Sequence, residues 1–133
     1  MKYFLDTNII IYAIKGQYPA LAEHFRKVAA QSIVIPTVVV AEIEYGARKS
    51  KKYVDTINTY CQFMNVFQKA PFSEKAALYY GQIRDDLEKR GELIGPNDLM
   101  IASITMAEDG ILVTNNVREF ERVNGLRIEN WTK

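Results

Sequence analysis

Residues 2–11, KYFLDTNIII, place a single carboxylate, that of Asp6, between two apolar runs. A carboxylate is costly to bury without a partner, so its presence inside such a segment requires a reason. The apolar residues before Asp6 favour a buried strand, and Thr7 or Asn8 can cap a helix that follows it. Ligands of parallel α/β sheets bind at the carboxyl ends of strands, so this change from strand to helix predicts a site at Asp6. The alternative is that Asp6 acts only as a helix cap or as a partner of the helix dipole.

The overall composition indicates one globular domain that covers residues 1–133. The chain is 48% hydrophobic and carries 17 basic and 16 acidic side chains, so it lacks the basic excess of a general polyanion binder. The only cysteine, Cys61, cannot form an internal disulfide, which fits a reducing cytoplasm. Asp6 interrupts the apolar N-terminal run, which argues against a signal peptide, and no run reaches the roughly 20 apolar residues that span a bilayer.

Segments with strand and helix periodicity alternate along the chain. Buried strands are predicted at Tyr3–Leu5, Ile33–Ile35, Asn65–Phe67 and Ile111–Val113, with a weaker fifth at Leu126–Ile128. Helices are predicted at Pro19–Ala30, Thr37–Lys49, Lys52–Phe63, Ser73–Arg90 and Asn97–Glu108, with Gly91 and Gly110 as helix stops. This alternation predicts an α/β fold with a parallel sheet covered by helices, because parallel strands need crossover connections.

A second acid that can reach the same sheet edge lies in the helix predicted at Thr37–Lys49. Glu42 and Glu44 are two positions apart, which rotates their side chains by about 200°, so only one of them can face the site. Helical periodicity favours Glu42 only weakly, and both glutamates stay open on this reasoning.

Two later segments also bring polar groups toward the predicted site. Asp98 follows Gly95 and Pro96 near a helix start, where it either caps that helix or turns its carboxylate toward Asp6. The sequence Thr-Asn-Asn at 114–116 directly follows the last strong strand, at the sheet end where Asp6 is predicted to emerge. The same Asn-Asn pair is also an ordinary turn signal.

A cluster of acids at one sheet edge indicates a metal site. Three carboxylates in one pocket would repel one another and raise one another's pKa unless a cation neutralised them. Mg²⁺ typically binds one or two carboxylates with waters and substrate phosphates, and Mn²⁺ accepts similar sites. The single histidine, His24, excludes a pair of imidazoles for acid-base catalysis and, with one cysteine, the usual zinc ligands. There is no glycine-rich phosphate loop and no G-x-S-x-G motif.

Four segments of the chain together resemble a known family. They are FLDTNIIIYAIKG at 4–16, VVVAEIEYGARKS at 38–50, GPNDLMIASI at 95–104 and ILVTNNVREFERVNGLRIENW at 111–131. In this order they resemble the PIN-domain family and, within it, the VapC toxins of bacterial toxin-antitoxin pairs. The resemblance implies a three-layer α/β/α sandwich with a central parallel sheet of four to five strands. It also implies a Mg²⁺-dependent endoribonuclease that cleaves transfer RNA or another structured RNA, forms a homodimer and is held inactive by a cognate antitoxin protein.

The same resemblance assigns roles to individual residues. Asp6 and Asp98 match the metal-binding aspartates of the family, and Glu42 matches its glutamate, which selects Glu42 over Glu44. The family often has Asp at a fourth position, where this chain has Asn116. Asparagine is neutral, so the site loses one charge that would hold a second cation. Glu119, three residues on, either compensates from the next helical turn or lies in solvent.

The mechanism that the resemblance implies is hydrolysis of an RNA phosphodiester by metal-activated water. Asp6 and Asp98 would hold Mg²⁺, with Mn²⁺ as a substitute, directly or through water. Glu42 would orient or deprotonate the attacking water, and Asn116 and Thr114 would support these groups.

Basic residues near these segments can contact RNA phosphates. One cluster follows the helix that carries Glu42 and consists of Arg48, Lys49, Lys51 and Lys52. A second group follows the last strong strand, nearer the site, and consists of Arg118 and Arg122. The alternative for the lysines is a solvated helix end whose charges suit the helix dipole.

Two other functions are compatible with parts of this pattern. One is a phosphatase that uses Asp6 as a covalent nucleophile, but haloacid-dehalogenase-like enzymes carry a second aspartate two residues on, where this chain has Asn8. The other is a PIN-fold module that binds RNA or protein without turnover, to which the missing fourth acid lends support.

Overall fold

Five short strands alternate with helices along residues 1–133, all of which the computed structural model describes. The strands are β1 (Tyr3–Leu5), β2 (Ile33–Pro36), β3 (Gln68–Ala70), β4 (Ile111–Val113) and β5 (Arg127–Glu129). The helices are α1 (Thr7–Lys15), α2 (Pro19–Lys27), α3 (Thr37–Lys49), α4 (Tyr53–Met64), α5 (Glu74–Lys89), α6 (Pro96–Ala107) and α7 (Val117–Phe120), with a 3₁₀ turn at Ala30–Ser32. None of these helices has both the length and the apolar composition that crossing a membrane requires.

The strands form one parallel sheet in the order β3-β2-β1-β4-β5. The chain leaves β1 toward β2 on one side and leaves β4 toward β5 on the other. Because such crossovers are right-handed, the two sets of connections place helices on opposite faces of the sheet, which gives three layers. The predicted α/β fold with a central parallel sheet is confirmed. The strand order reverses between β1 and β4, and this is where ligands bind in open α/β sheets.

The core packs mainly around the central strands and α6. Phe4, Leu5, Leu112 and Val113 in β1 and β4 have no exposed surface. Seven of the twelve residues of α6 are buried, so this helix lies inside the fold. Two of them are polar, and each hydroxyl donates to the carbonyl four residues back, Ser103 to Leu99 and Thr105 to Ile101. Burial of α6 therefore fixes the position of its N-terminal residues at the sheet edge.

The strand predicted at Asn65–Phe67 is wrong, because β3 begins only at Gln68. Asn65 ends α4, and its N–H donates to the carbonyl of Cys61. Val66 is 66% exposed. β3 is an edge strand, and its first two residues, Gln68 and Lys69, are exposed. An edge strand can consist of polar residues because much of it is exposed. The hydrophobic pattern therefore favoured the apolar residues just before β3 instead of β3 itself.

Other boundaries agree more closely. The strands at Tyr3–Leu5 and Ile111–Val113 and the helix at Thr37–Lys49 are confirmed at both ends. The fifth strand lies one residue beyond its predicted position. The helix predicted to continue to Ala30 ends at Lys27, where Val28 takes an extended backbone.

Gly110 has a different function from the helix stop predicted for it. The left-handed backbone at this helix end belongs to Asp109, with a φ of 54°, whereas Gly110 lies against β1. A Cβ at Gly110 would stand 2.3 Å from Cε1 of Phe4, whose ring is fully buried. Position 110 therefore requires glycine because the Phe4 ring leaves no room for a side chain there.

Replacing Gly110 should destabilise the fold. Gly110→Ala is expected to lower the free energy of unfolding by about 1–3 kcal/mol, the usual effect of overpacking a core. Urea denaturation measures the change. The control is Gly81→Ala in α5, where a Cβ meets nothing within 4 Å and should raise stability by about 0.5–1 kcal/mol. Equal effects at the two glycines would contradict the packing explanation.

Candidate active site

Asp6 and Thr114 emerge side by side at the carboxyl ends of the two central strands. Leu5 pairs with Val113 across β1 and β4, so the next residue of each strand reaches the same edge. Asp6 is only 6% exposed. Its Oδ1 accepts the backbone N–H of Thr7 at 2.7 Å, and its Oδ2 accepts the Thr114 hydroxyl at 2.8 Å. Asp6 is the N-cap of α1, so the capping interpretation and the location at the sheet edge are both correct.

The structure directs Glu42, and not Glu44, toward this edge. Oε1 of Glu42 accepts the Thr7 hydroxyl at 2.5 Å, and Oε2 accepts the side-chain amide of Asn97 at 3.3 Å. Glu44 instead accepts hydrogen bonds from Arg48 and from the Tyr53 hydroxyl, both at 2.8 Å. Two donors from different helices therefore hold the carboxylate of Glu42.

Asp98 lies in the first turn of α6 and makes no side-chain hydrogen bond. The N-cap of α6 is Gly95, so the interpretation of Asp98 as a cap is wrong. Burial, together with the negative charges of Asp6, Glu42 and Glu119, raises the pKa of Asp98 to about 6. Asp98 is thus a half-buried carboxylate surrounded by other carboxylates.

Asn116 and Glu119 form the fourth part of the site. The side-chain amide of Asn116 donates to Oε2 of Glu119 at 3.2 Å, and its backbone N–H donates to the Thr114 hydroxyl oxygen at 2.9 Å. Thr114 in turn donates to Asp6, so one chain of hydrogen bonds links Asp6 to Glu119. Glu119 is partly buried, and its charge acts on Asp98. A carboxylate from the next helical turn, that of Glu119, therefore lies beside Asn116.

The site carries an excess of negative charge. Burial raises the pKa of Asp6, the hydrogen bonds from Thr114 and Thr7 oppose that rise, and the charge of Glu42 adds to it. None of the ion pairs in the structure includes any of the four carboxylates, which are Asp6, Glu42, Asp98 and Glu119. A bound cation would neutralise such a group.

The donor set fits a hard divalent cation. No three His, Cys, Asp or Glu side chains form a group that could by itself hold a metal ion. Mg²⁺ does not need such a group, since it usually keeps several waters and takes one or two carboxylates. Asp6 and Asp98 are the two carboxylates with raised pKa values, and both are oxygen ligands of the type that Mg²⁺ prefers.

Some residues of interest lie elsewhere or were not anticipated. Arg118 is exposed and lines a separate hollow of about 370 Å³ together with Arg90 and Arg122. Thr7 and Asn97 were not predicted as partners of Glu42. Thr7 had a simpler interpretation as a helix cap, and Asn97 had one as a residue at a helix start.

Known proteins are similar to this chain in sequence over its whole length and in fold. Residues 3–126 match the PIN domain. The chain is 42% identical over 134 residues to a Rickettsia felis protein named ribonuclease VapC2, with 100% of both chains covered. It is 38% identical to a Shigella flexneri protein named tRNA(fMet)-specific endonuclease VapC, with 99% of both chains covered. It also matches a chain in the crystal structure of Rickettsia felis VapBC2 bound to a promoter DNA fragment, with a TM-score of 0.92, 40% identity, and 98% of this chain and 99% of that chain covered.

Proposed function

The chain belongs to the PIN domain family, and on that premise we propose that it is a metal-dependent endoribonuclease, the toxin of a toxin-antitoxin pair. The observation that carries this proposal is the group of four carboxylates without a counter-cation at the point where the strand order reverses. Full-length relatives named ribonuclease and tRNA(fMet)-specific endonuclease support RNA as the substrate and transfer RNA as its class.

Asp6 and Asp98 would hold Mg²⁺, for which Mn²⁺ is a substitute. When bound, Mg²⁺ supplies positive charge that stabilises the phosphate in the transition state and acidifies coordinated water. Glu42 and Glu119 would lie beside these two ligands and balance their charge.

The residues of the chain have distinct parts in the proposed hydrolysis. Glu42, held by Thr7 and Asn97, orients the attacking water and accepts its proton. The water oxygen bonds to phosphorus, and the bond to the leaving nucleotide oxygen breaks. Thr114 fixes the carboxylate of Asp6, and Asn116 fixes that of Glu119.

A covalent role for Asp6 is not supported. Both of its carboxylate oxygens are engaged by hydrogen bonds, and the residue is almost fully buried, so it is poorly placed to attack a phosphate. The relatives named above are ribonucleases. The phosphatase alternative therefore has no observation in its favour.

We propose that residues 1–133 form one PIN domain that works in the cytoplasm as a homodimer and is inhibited by a cognate antitoxin. The support for the antitoxin is that relatives of 40% and 35% identity are found in VapBC complexes. The domain assignment rests on the match over residues 3–126 and on the single sheet. Arg118, exposed and next to Glu119, is proposed to contact an RNA phosphate.

Glu119 should contribute measurably to catalysis. Glu119→Gln is expected to lower kcat by about 10- to 100-fold, the usual effect of removing a group that supports a metal site. Asn116→Ala should act in the same direction, because it releases Glu119. The control Glu121→Gln alters an exposed glutamate of the same region and should leave kcat unchanged. Equal rates for Glu119→Gln and Glu121→Gln would show that Glu119 is only a surface residue.

The experiment for the proposed function is cleavage of an end-labelled transfer RNA pool by antitoxin-free protein, with Mg²⁺ or with EDTA. Internal cuts that require Mg²⁺ are expected. Retained RNA affinity with no cleavage of transfer or ribosomal RNA in Mg²⁺ or Mn²⁺ would instead favour the binding-module alternative.

A further inference from the structure

A cavity of about 590 Å³ opens directly beside Glu42, between α3 and α6. Three of its lining residues are polar and belong to the site described above: Thr7, Glu42 and Asn97. The other four are hydrophobic and have no part in the proposed hydrolysis: Val38, Ala41, Tyr45 and Met100. The cavity is therefore continuous with the candidate active site and ends at an apolar wall.

Tyr45 is the unexplained member of this wall. It lies on the exposed surface of α3, one turn beyond Glu42, and it is 65% exposed. It makes no side-chain hydrogen bond within the chain, whereas Tyr53, the other tyrosine near α3, donates to Glu44. The fold leaves most of this ring unburied, so its surface is accessible to a ligand.

Positive charge follows the ring along the chain. The ammonium of Lys49 lies 5.0 Å from the centroid of the Tyr45 ring. Lys49, Lys51 and Lys52 have no ion pair in the structure, whereas Arg48 is paired with Glu44. The end of α3 thus presents an aromatic surface next to uncompensated cations. This combination binds single-stranded nucleic acid, where rings stack on bases and cations contact phosphates.

We propose that this cavity is a subsite for one unstacked base of single-stranded RNA, with Tyr45 and Met100 as its walls and Lys49 against the adjoining phosphate. The inference rests on the proposed endoribonuclease function and deepens it, because a base held beside Glu42 determines which phosphate reaches the carboxylates. Every base has a π-face, so a stacking surface of this kind selects for single-stranded RNA more strongly than for one sequence.

A second copy of the chain fits the same surface less well. In a two-fold interface the same patch meets itself, so both copies would add the uncompensated lysines at the end of α3 to one interface. Like charges across an interface oppose association. RNA, in contrast, is complementary to these lysines.

The test compares the binding of three fluorescein-labelled RNA 12-mers to the full chain by fluorescence anisotropy. Two are oligo-adenosine and oligo-uridine, and the third has the same phosphates but no bases. All proteins carry Asp98→Asn, so that cleavage does not interfere. The measured quantity is the affinity ratio, which is the affinity for the tighter-binding of oligo-adenosine and oligo-uridine divided by the affinity for the abasic oligomer. With Tyr45 intact, this ratio is expected to be at least about five, the smallest usual effect of one stacked base.

Tyr45→Ala is expected to bring the affinity ratio close to one. Tyr45→Phe should preserve the affinity ratio because the aromatic ring remains. Leu78→Ala removes an apolar side chain that is 67% exposed on α5, and it should leave the ratio unchanged. Lys49→Ala should weaken binding of oligomers with and without bases alike and reduce its salt dependence.

An unchanged ratio in Tyr45→Ala would overturn the proposal. The proposal would also be overturned if Tyr45→Ala changed the molar mass measured by light scattering but left the affinity ratio unchanged. That result would assign this surface to a second copy of the chain. Failure of the proposed function has a separate signature, which is the absence of RNA cleavage by the protein with Asp98 intact.

Discussion

Asp6→Asn is expected to lower the rate of RNA cleavage by at least about 100-fold, the usual effect of losing one preorganised electrostatic group, while leaving the fold at least as stable as before. The carboxylate supplies one of the two proposed metal ligands, and the amide that replaces it has no negative charge. The pattern of hydrogen bonds can survive the change, because the amide oxygen can still accept from Thr7, and the Thr114 hydroxyl can accept in place of donating.

The expected stability follows from the direction of the pKa shift. Burial raises the pKa of Asp6, so its ionised form opposes folding at neutral pH. Removing that charge should keep or raise the melting temperature in EDTA. The control is Asp55→Asn, an exposed aspartate in the first turn of α4, which should leave activity unchanged and lower stability by less than about 1 kcal/mol. A variant that loses activity together with its melting temperature would indicate that Asp6 has a structural role instead.

Asp98 should make the metal-free protein more stable as the pH falls from about 6 toward 3.8. The folded-state pKa of Asp98, about 6, lies above its ordinary value of 3.8. The folded protein therefore binds this proton more tightly than the unfolded chain does. The stabilising effect of the proton on Asp98 is lost as the pH rises from 3.8 through about 6. A salt-bridged aspartate behaves in the opposite way, because it loses its stabilising effect as the pH falls.

The size of this effect can be bounded. A shift from 3.8 to about 6 corresponds to at most about 3 kcal/mol, and partial exposure of Asp98 reduces this to about 1–2 kcal/mol. Urea denaturation in EDTA at several pH values, for the wild type and Asp98→Asn, isolates the contribution as the difference between the two proteins. The variant should be the more stable protein near pH 7.5, and this advantage should shrink as the pH falls from about 6 toward 3.8. A constant difference across this range would contradict the proposed environment of Asp98.

The effect of Mg²⁺ on the melting temperature is a second test of the Asp98 carboxylate. A cation that binds the ionised carboxylates stabilises the folded state and opposes proton binding. Mg²⁺ should therefore raise the melting temperature of the wild type more at pH 7.5 than at pH 5. Asp98→Asn should show a smaller rise at the higher pH.

The location of Asp6 could be predicted from sequence because two local signals coincide there. The apolar strand ends at Leu5, and a helix begins at Thr7, so the intervening carboxylate had to lie at a strand end. The helix at Thr37–Lys49 was preferred over a strand through its three consecutive valines, because a proline precedes it and alanines and glutamates follow, and the structure confirms it.

Other features depend on contacts between distant segments. The choice between Glu42 and Glu44 is made by Thr7 and Asn97, which are 35 and 55 residues from Glu42 along the chain. Periodicity within one helix contains no information about these partners. The family resemblance selected Glu42 for a different reason, namely its position in a motif.

The connection between Asn116 and Glu119 was visible only in part. The spacing of three residues allows the two side chains to meet on one helical turn, but an exposed position for Glu119 was the preferred interpretation. In the structure Glu119 is partly buried and accepts the Asn116 amide, because the hydrogen bonds of Thr114 to Asn116 and Asp6 fix the backbone after β4. The sequence shows the missing aspartate, whereas this contact is visible only in the structure.

The most direct test of the account is a titration with Mn²⁺, followed by electron paramagnetic resonance, of antitoxin-free wild type, Asp6→Asn, Asp98→Asn and the control Asp55→Asn. The central claim is that Asp6 and Asp98 together hold the divalent cation that RNA cleavage requires. It predicts that the wild type and Asp55→Asn bind Mn²⁺ equally, and that Asp6→Asn and Asp98→Asn each weaken binding by at least about tenfold. Wild-type Mn²⁺ affinity in either of those two variants would contradict the claim.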